Sequence, residues 1–115
     1  MNVDVVFEGR PLDAGRYLDA LIAEQVFGVR FDPHDPIPVD VPHYSTDMGA
    51  AWGIVETLAG DSIQFRYEIV KGARPYVYAK FVECGPPAYV IGGGGATSAP
   101  LAICRAALKV KHGQV

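Results

Sequence analysis

Four consecutive glycines, Gly92 to Gly95, lead through Ala96 to Thr97 and Ser98 and then into a segment of helical apolar spacing. Backbone N–H groups of a glycine loop, joined to the unpaired N–H groups and positive dipole end of a helix, form a cradle for an anion. What is missing narrows the anion. No Gly-Lys-Ser/Thr follows, so this is not a P-loop, and the third glycine and acidic strand of a dinucleotide fold are absent. Thr97 or Ser98 caps the helix, with Pro100 near its first turn. On a helical wheel Arg105 lies beside Leu101 and Leu108. A guanidinium among leucines requires a partner. That partner is either an acid of the same chain or a phosphate or carboxylate gripped by the planar fork. The glycine run and Arg105 could then serve neighbouring parts of one ligand.

Aromatic residues are the next candidates. Tyr67, Tyr76, Tyr78, Phe81 and Tyr89 crowd the strand-forming region. Most belong in a core, but an exposed ring stacks a nucleobase with about 1–3 kcal/mol. Arg66 is the nearest strand cation, with Glu68 or Glu83 as its ordinary cross-strand partner. Catalysis finds little support. His34 and His43 stand among Asp32, Asp35, Asp40 and Asp47 without zinc-site or EF-hand spacing, so neither a metal nor a cofactor is expected. No nucleophile motif pairs a serine or cysteine with a histidine, and His112 reads as solvated. Cys84 and Cys104 are spaced neither as a redox pair nor as a zinc site and read as reduced.

The elements that must position these groups fit one domain over residues 1–115. Half of the 115 residues are hydrophobic and a fifth are charged, which suits a packed core and excludes wholesale disorder. The net charge of −3 argues against a duplex nucleic acid as partner. No apolar run reaches membrane-spanning length, and Met1-Asn2-Val3-Asp4 carries no basic stretch ahead of an apolar run, so a cytosolic protein is expected. Val3 to Phe7 reads as a first strand. Asp13 to Phe27 reads as a helix capped by Asp13, with Gly28 as its left-handed end. Residues 31–43 hold four prolines and read as an extended loop. A second helix begins at Ser45-Thr46-Asp47, carries Met48, Ala51, Trp52, Val55 and Leu58 as its apolar stripe, and ends at Gly60. Ile63, Phe65, Tyr67 and Ile69 alternate with polar residues in a strand that turns at Lys71–Arg74 into a partner from Tyr76 to Glu83. Ala88 to Ile91 is one more short strand, and Leu101 to Lys111 is the body of the last helix. The order is β-α-α-β-β-β-α, and an antiparallel sheet flanked by helices, class α+β, is its natural packing.

The last helix is apolar almost all round. Leu101, Cys104 and Leu108 form one side, and Ile103, Ala107 and Val110 fall largely on the other. One side meets the domain core, so the second is expected to meet another copy of the chain in a homo-oligomer.

Three segments together resemble the phage ABA-sandwich family and the related NinX-like phage proteins. They are Gly15-Arg16-Tyr17-Leu18-Asp19-Ala20-Leu21-Ile22-Ala23-Glu24-Gln25-Val26-Phe27-Gly28; Tyr44-Ser45-Thr46-Asp47 with Ala51-Trp52 and Val55-Glu56; and Ser98-Ala99-Pro100-Leu101-Ala102-Ile103-Cys104-Arg105-Ala106-Ala107-Leu108. The third is the most specific. Within that group the chain looks like the first Thoeris anti-defence family. Those phage proteins are sponges that sequester cyclic ADP-ribose isomers and, in some members, the cyclic oligonucleotides of CBASS immunity, without cleaving them. The resemblance implies a dimer-based assembly, up to a hexamer, with pockets at subunit interfaces in the host cytoplasm. Arg105 is carried over from the third motif, Thr97 and Ser98 from their place at the helix start, and Tyr44 and Ser45 from the second motif. Arg66, Tyr78 and Phe81 are added from chemistry. The competing expectation is a phage structural or interaction protein with no small ligand. An enzyme that degrades such a nucleotide is a third.

Overall fold

The computed structural model describes residues 13–32, 34–72 and 76–112. The expected strand over Val3–Phe7 lies outside them. The elements are α1 (Arg16–Phe27), α2 (Met48–Leu58), β1 (Ile63–Val70), β2 (Tyr76–Glu83), β3 (Tyr89–Ala96) and α3 (Ala99–His112). The three strands form one antiparallel sheet in the order β1-β2-β3, so the α+β class expected from the sequence is what the chain adopts.

Helix α1 ends as its sequence dictates. Gly28 adopts φ 74° and donates its N–H to the Glu24 carbonyl, and Val29 donates to Ala23. A side chain with a Cβ pays for that left-handed conformation, and glycine does not. The start differs from expectation: α1 begins at Arg16 after Gly15, and Asp13 does not cap it. Helix α2 is capped by the carboxylate of Asp47, the last residue of the Ser45-Thr46-Asp47 start, which accepts from the Ala50 N–H at 2.8 Å. Its buried face is Ala51, Ile54 and Val55, while Trp52 stays exposed and meets Phe65 edge-on at 5.9 Å.

The glycine run is not a loop. It is the interior of β3, a strand of eight residues that extends well beyond the short one expected. The reason is steric. Alternate glycines face opposite sides of the sheet, and each side has a tenant. A Cβ on Gly94 would stand 2.7 Å from the Ala106 N and the Arg105 Cβ, and one on Gly92 would stand 2.6 Å from the Ala106 carbonyl oxygen. On the other face a Cβ on Gly93 would strike the Tyr78 ring and hydroxyl, and one on Gly95 the Tyr76 ring. The strand is bare because a helix backbone lies on one face and two tyrosines lie across the other.

Helix α3 is the centre of the molecule. It packs against β3 and β2 on one side and against α1 and α2 on the other. Leu101, Ala102, Ile103, Cys104, Ala106, Ala107 and Leu108 are all buried within the single chain. The all-round apolarity was expected to mark a subunit interface, and it is met within the chain instead. The domain's own layers cover both sides of the helix.

Substituting one glycine on each face tests this packing. Gly94→Ala puts a methyl into helix backbone, which can yield only by moving α3, so it should cost about 1–3 kcal/mol in urea unfolding. Gly93→Ala meets only the far end of the Tyr78 side chain, which can swing away, so its loss should be clearly smaller. Equal losses for the two variants would mean that α3 does not rest on β3 this closely.

Candidate functional site

The residues singled out from the sequence fall into three separate places. The first is the end of the sheet where β3 passes into α3. Arg105 is half-buried, its side chain 15% exposed. Its Nη1 donates to the Gly95 carbonyl at 2.8 Å, and its Nη2 lies 3.7 Å from the Asp13 carboxylate, which is itself fully exposed. Thr97 and Ser98, which follow Gly95 in the chain, are exposed, and the Ser98 carbonyl accepts the first intrahelical bond, from the Ala102 N–H. A guanidinium anchored on Gly95 is thus followed within a few residues by two exposed hydroxyl-bearing residues and a helix start, groups of the kind that a phosphate or carboxylate uses.

The second place is the outer face of the sheet. Arg66 is exposed and hydrogen-bonds to Gln64 at 2.9 Å; its neighbour across the strands is Lys80, not an acid. Tyr78, half-buried, lies across Gly93. The carboxylates considered as partners of Arg66 stand elsewhere: Glu68 is opposite Tyr78, and Glu83 is opposite Ile63.

The third place is the interior, and three expected ligand contacts are found there. Phe81 is fully buried and packs on Phe65 at 5.3 Å, so it has no open face for a base. Tyr44 is buried and stacks on Phe27 at 5.3 Å. Burial first, with neighbouring Cys104 and Asp19 behind it, pushes its phenol up. Ser45 is fully buried and belongs to a polar lock that sequence reading missed. The Ser45 Oγ donates to the Asp19 carboxylate at 2.6 Å, and the Ser45 N–H donates to the same oxygen at 2.8 Å. Gly15 N–H donates to the Ser45 Oγ at 3.0 Å. The other Asp19 oxygen accepts from Arg16 Nη1 at 2.9 Å, and Arg16 Nη2 reaches on to the Val41 carbonyl at 2.8 Å and the Pro38 carbonyl at 3.2 Å. The proline-rich segment is thus fastened to the start of α1 by one arginine. One signal could have found this lock. Asp19 sits between Leu18 and Ile22 on the apolar side of α1, and a buried carboxylate must have donors.

Among the described residues no three of His, Cys, Asp and Glu converge as metal ligands, and no helix is long and apolar enough to cross a membrane. Cys104 lies under α1 and α2; burial first, and the Asp19 charge second, push its thiol well up, so it stays protonated. Cys84 is exposed.

A family model described as the phage ABA sandwich domain matches residues 20–108. The chain belongs to that family. The match takes in α2 and the three strands whole, α1 from Ala20 onward and α3 as far as Leu108, so the sandwich is this sheet with its helices. Among solved structures the chain is similar to a phage protein from Bacillus cereus ATCC 14579, with 28% sequence identity and a TM-score of 0.59. That likeness covers 90% of this chain and 97% of the other. No curated protein matches the chain.

Two predictions follow from these placements. Ser45→Ala removes one of the donors of a buried carboxylate and should cost about 1–3 kcal/mol in urea unfolding; no loss would show that solvent reaches Asp19. In the native protein a disulfide thiol reagent should titrate one thiol, Cys84, and two only after denaturation. Rapid labelling of both would contradict the burial of Cys104.

Proposed function

We propose that this phage ABA-sandwich protein is an anti-defence sponge, a homo-oligomer that captures a cyclic nucleotide immune signal in the host cytoplasm and holds it uncleaved. The ligands are the cyclic ADP-ribose isomers of Thoeris immunity or the cyclic oligonucleotides of CBASS. The observation that carries the reading is Arg105. Its guanidinium is held at the β3–α3 junction by the Gly95 carbonyl, beside the exposed Thr97 and Ser98 and the first N–H groups of α3. A fork fixed in advance loses little freedom when a phosphate arrives, and helix N–H groups supply further donors to the same anion.

A second reading has its own support. Arg105 already meets Asp13 of its own chain and the Gly95 carbonyl, and Tyr44, Ser45 and Phe81 are interior residues. In that reading the protein is a phage structural or interaction protein without a small ligand, and Arg105 ties the segment before α1 to β3.

Calorimetry separates the two. The sponge takes up at least one of the cyclic ADP-ribose isomers or cyclic di- and trinucleotides, and Arg105→Ala abolishes measurable uptake while circular dichroism stays native. Heat-denatured complex should return the messenger intact; a converted product would mean an enzyme. No uptake of any of these ligands by the wild-type protein sinks the sponge and leaves the interaction protein.

A further inference from the structure

Strand β1 is an edge of the sheet among the described residues, and α3 lies chiefly over β3 and β2. On the helix-facing side of β1, Tyr67 and Ile69 are 57% and 60% exposed and continue the line of Phe65. On the other side Arg66 stands opposite Lys80, two cations abreast, and Glu68 stands opposite Tyr78. An eight-residue edge with apolar side chains on one face is a template for another strand. We propose that it pairs with β1 of a second copy of this chain, antiparallel about a two-fold axis normal to the sheet, with Tyr67 opposite the partner's Tyr67. The inference rests on the oligomeric part of the proposed function and needs no ligand.

Charge fixes this register. Side chains opposite each other in an antiparallel pair share a face, so the alternatives differ by whole steps of the pleat. At the proposed register Arg66 faces the partner's Glu68 and Glu68 faces the partner's Arg66. Phe65 then faces the partner's Ile69 on the helix side. One step either way sets Arg66 against Arg66 or Glu68 against Glu68, and like charges directly opposite are destabilising. The carboxylate also relieves the Arg66–Lys80 pair. The contact is isologous, as a two-fold axis requires, and joins two three-stranded sheets into one.

The chain's own N-terminal segment is the competing occupant. It joins the described part of the molecule at the far edge. Asp13 is 3.7 Å from Arg105, whose other Nη is bonded to Gly95 of β3. That places the junction two strands away from β1.

Light scattering on the full chain tests the seam. The wild-type mass should be an even multiple of 12.3 kDa at micromolar concentration. Glu68→Arg should halve it by opposing arginines, and the exchange Arg66→Glu with Glu68→Arg should restore it. Circular dichroism checks that these surface variants fold. A wild-type species of single-chain mass, a Glu68→Arg mass equal to wild type, or an exchange variant that stays split overturns the proposal. So does hydrogen exchange showing the outward β1 amides protected in a monomer, which would give the edge to residues 1–12. An even-mass assembly that takes up no nucleotide sinks the sponge alone, and uptake by a single-chain species sinks the seam alone.

Discussion

The close approach of α3 to β3 is the contact on which the other features depend. Helix and sheet normally keep their distance because side chains stand between them. Here Gly92 and Gly94 remove those side chains from the strand, and Ala106 shortens the helix surface that faces them. The gain is contact area between backbones that are already hydrogen-bonded and need no further partners. The cost is a strand of poor intrinsic propensity, since glycine loses more freedom in a sheet than any other residue. Tyr76 and Tyr78 offset part of that cost by covering the other face with ring surface that the glycines cannot supply.

This arrangement explains why one stretch of sequence supports two opposite readings. A run of glycines before a helix is the signature of a phosphate loop, and it is equally what a strand needs when a helix backbone must lie on it. The local string does not discriminate between them. What decides is the tenant on each face, which is set by residues far along the chain, Arg105, Ala106 and Val110 on one side and Tyr76 and Tyr78 on the other. The last helix posed the same ambiguity. Apolar residues all round a helix mean two covered sides, but not whose surface covers the second. Here α1 and α2 close over it, so a 115-residue chain has enough layers to bury a helix completely.

Periodicity made the architecture legible: the helix at Arg16–Phe27 with Gly28 behind it, the hairpin of β1 and β2, and the final helix all sit where apolar spacing and glycine punctuation put them. The polar interior was not legible in the same way. Ser45 and Tyr44 stand in a segment rich in polar residues and read as surface groups available to a ligand, yet both are buried. Their meaning comes from Asp19, 26 residues earlier, whose carboxylate takes both the Ser45 hydroxyl and its N–H. The two sequence segments that carry the family resemblance at α1 and before α2 are therefore two halves of one lock. Family likeness in such residues speaks for the fold, and the site must be argued from other residues.

Geometry also connects the helix to the strand it leaves bare. A helix with its side chains is roughly 10 Å across, and strands are about 4.8 Å apart, so one helix covers about two strands. Helix α3 takes β3 and β2. The third strand meets Trp52 and joins the core at Ile63 and Phe65, and beyond Phe65 its apolar side chains are exposed. Drawing α3 tightly onto the glycines of β3 moves it away from β1, so the feature that packs the centre best is the one that exposes Tyr67 and Ile69. A sandwich built this way has an apolar overhang by construction, at the opposite edge of the sheet from Arg105. Whatever covers the overhang adds to burial without touching the β3–α3 junction, so the proposed seam and the proposed anion site stand on different edges of the same three strands.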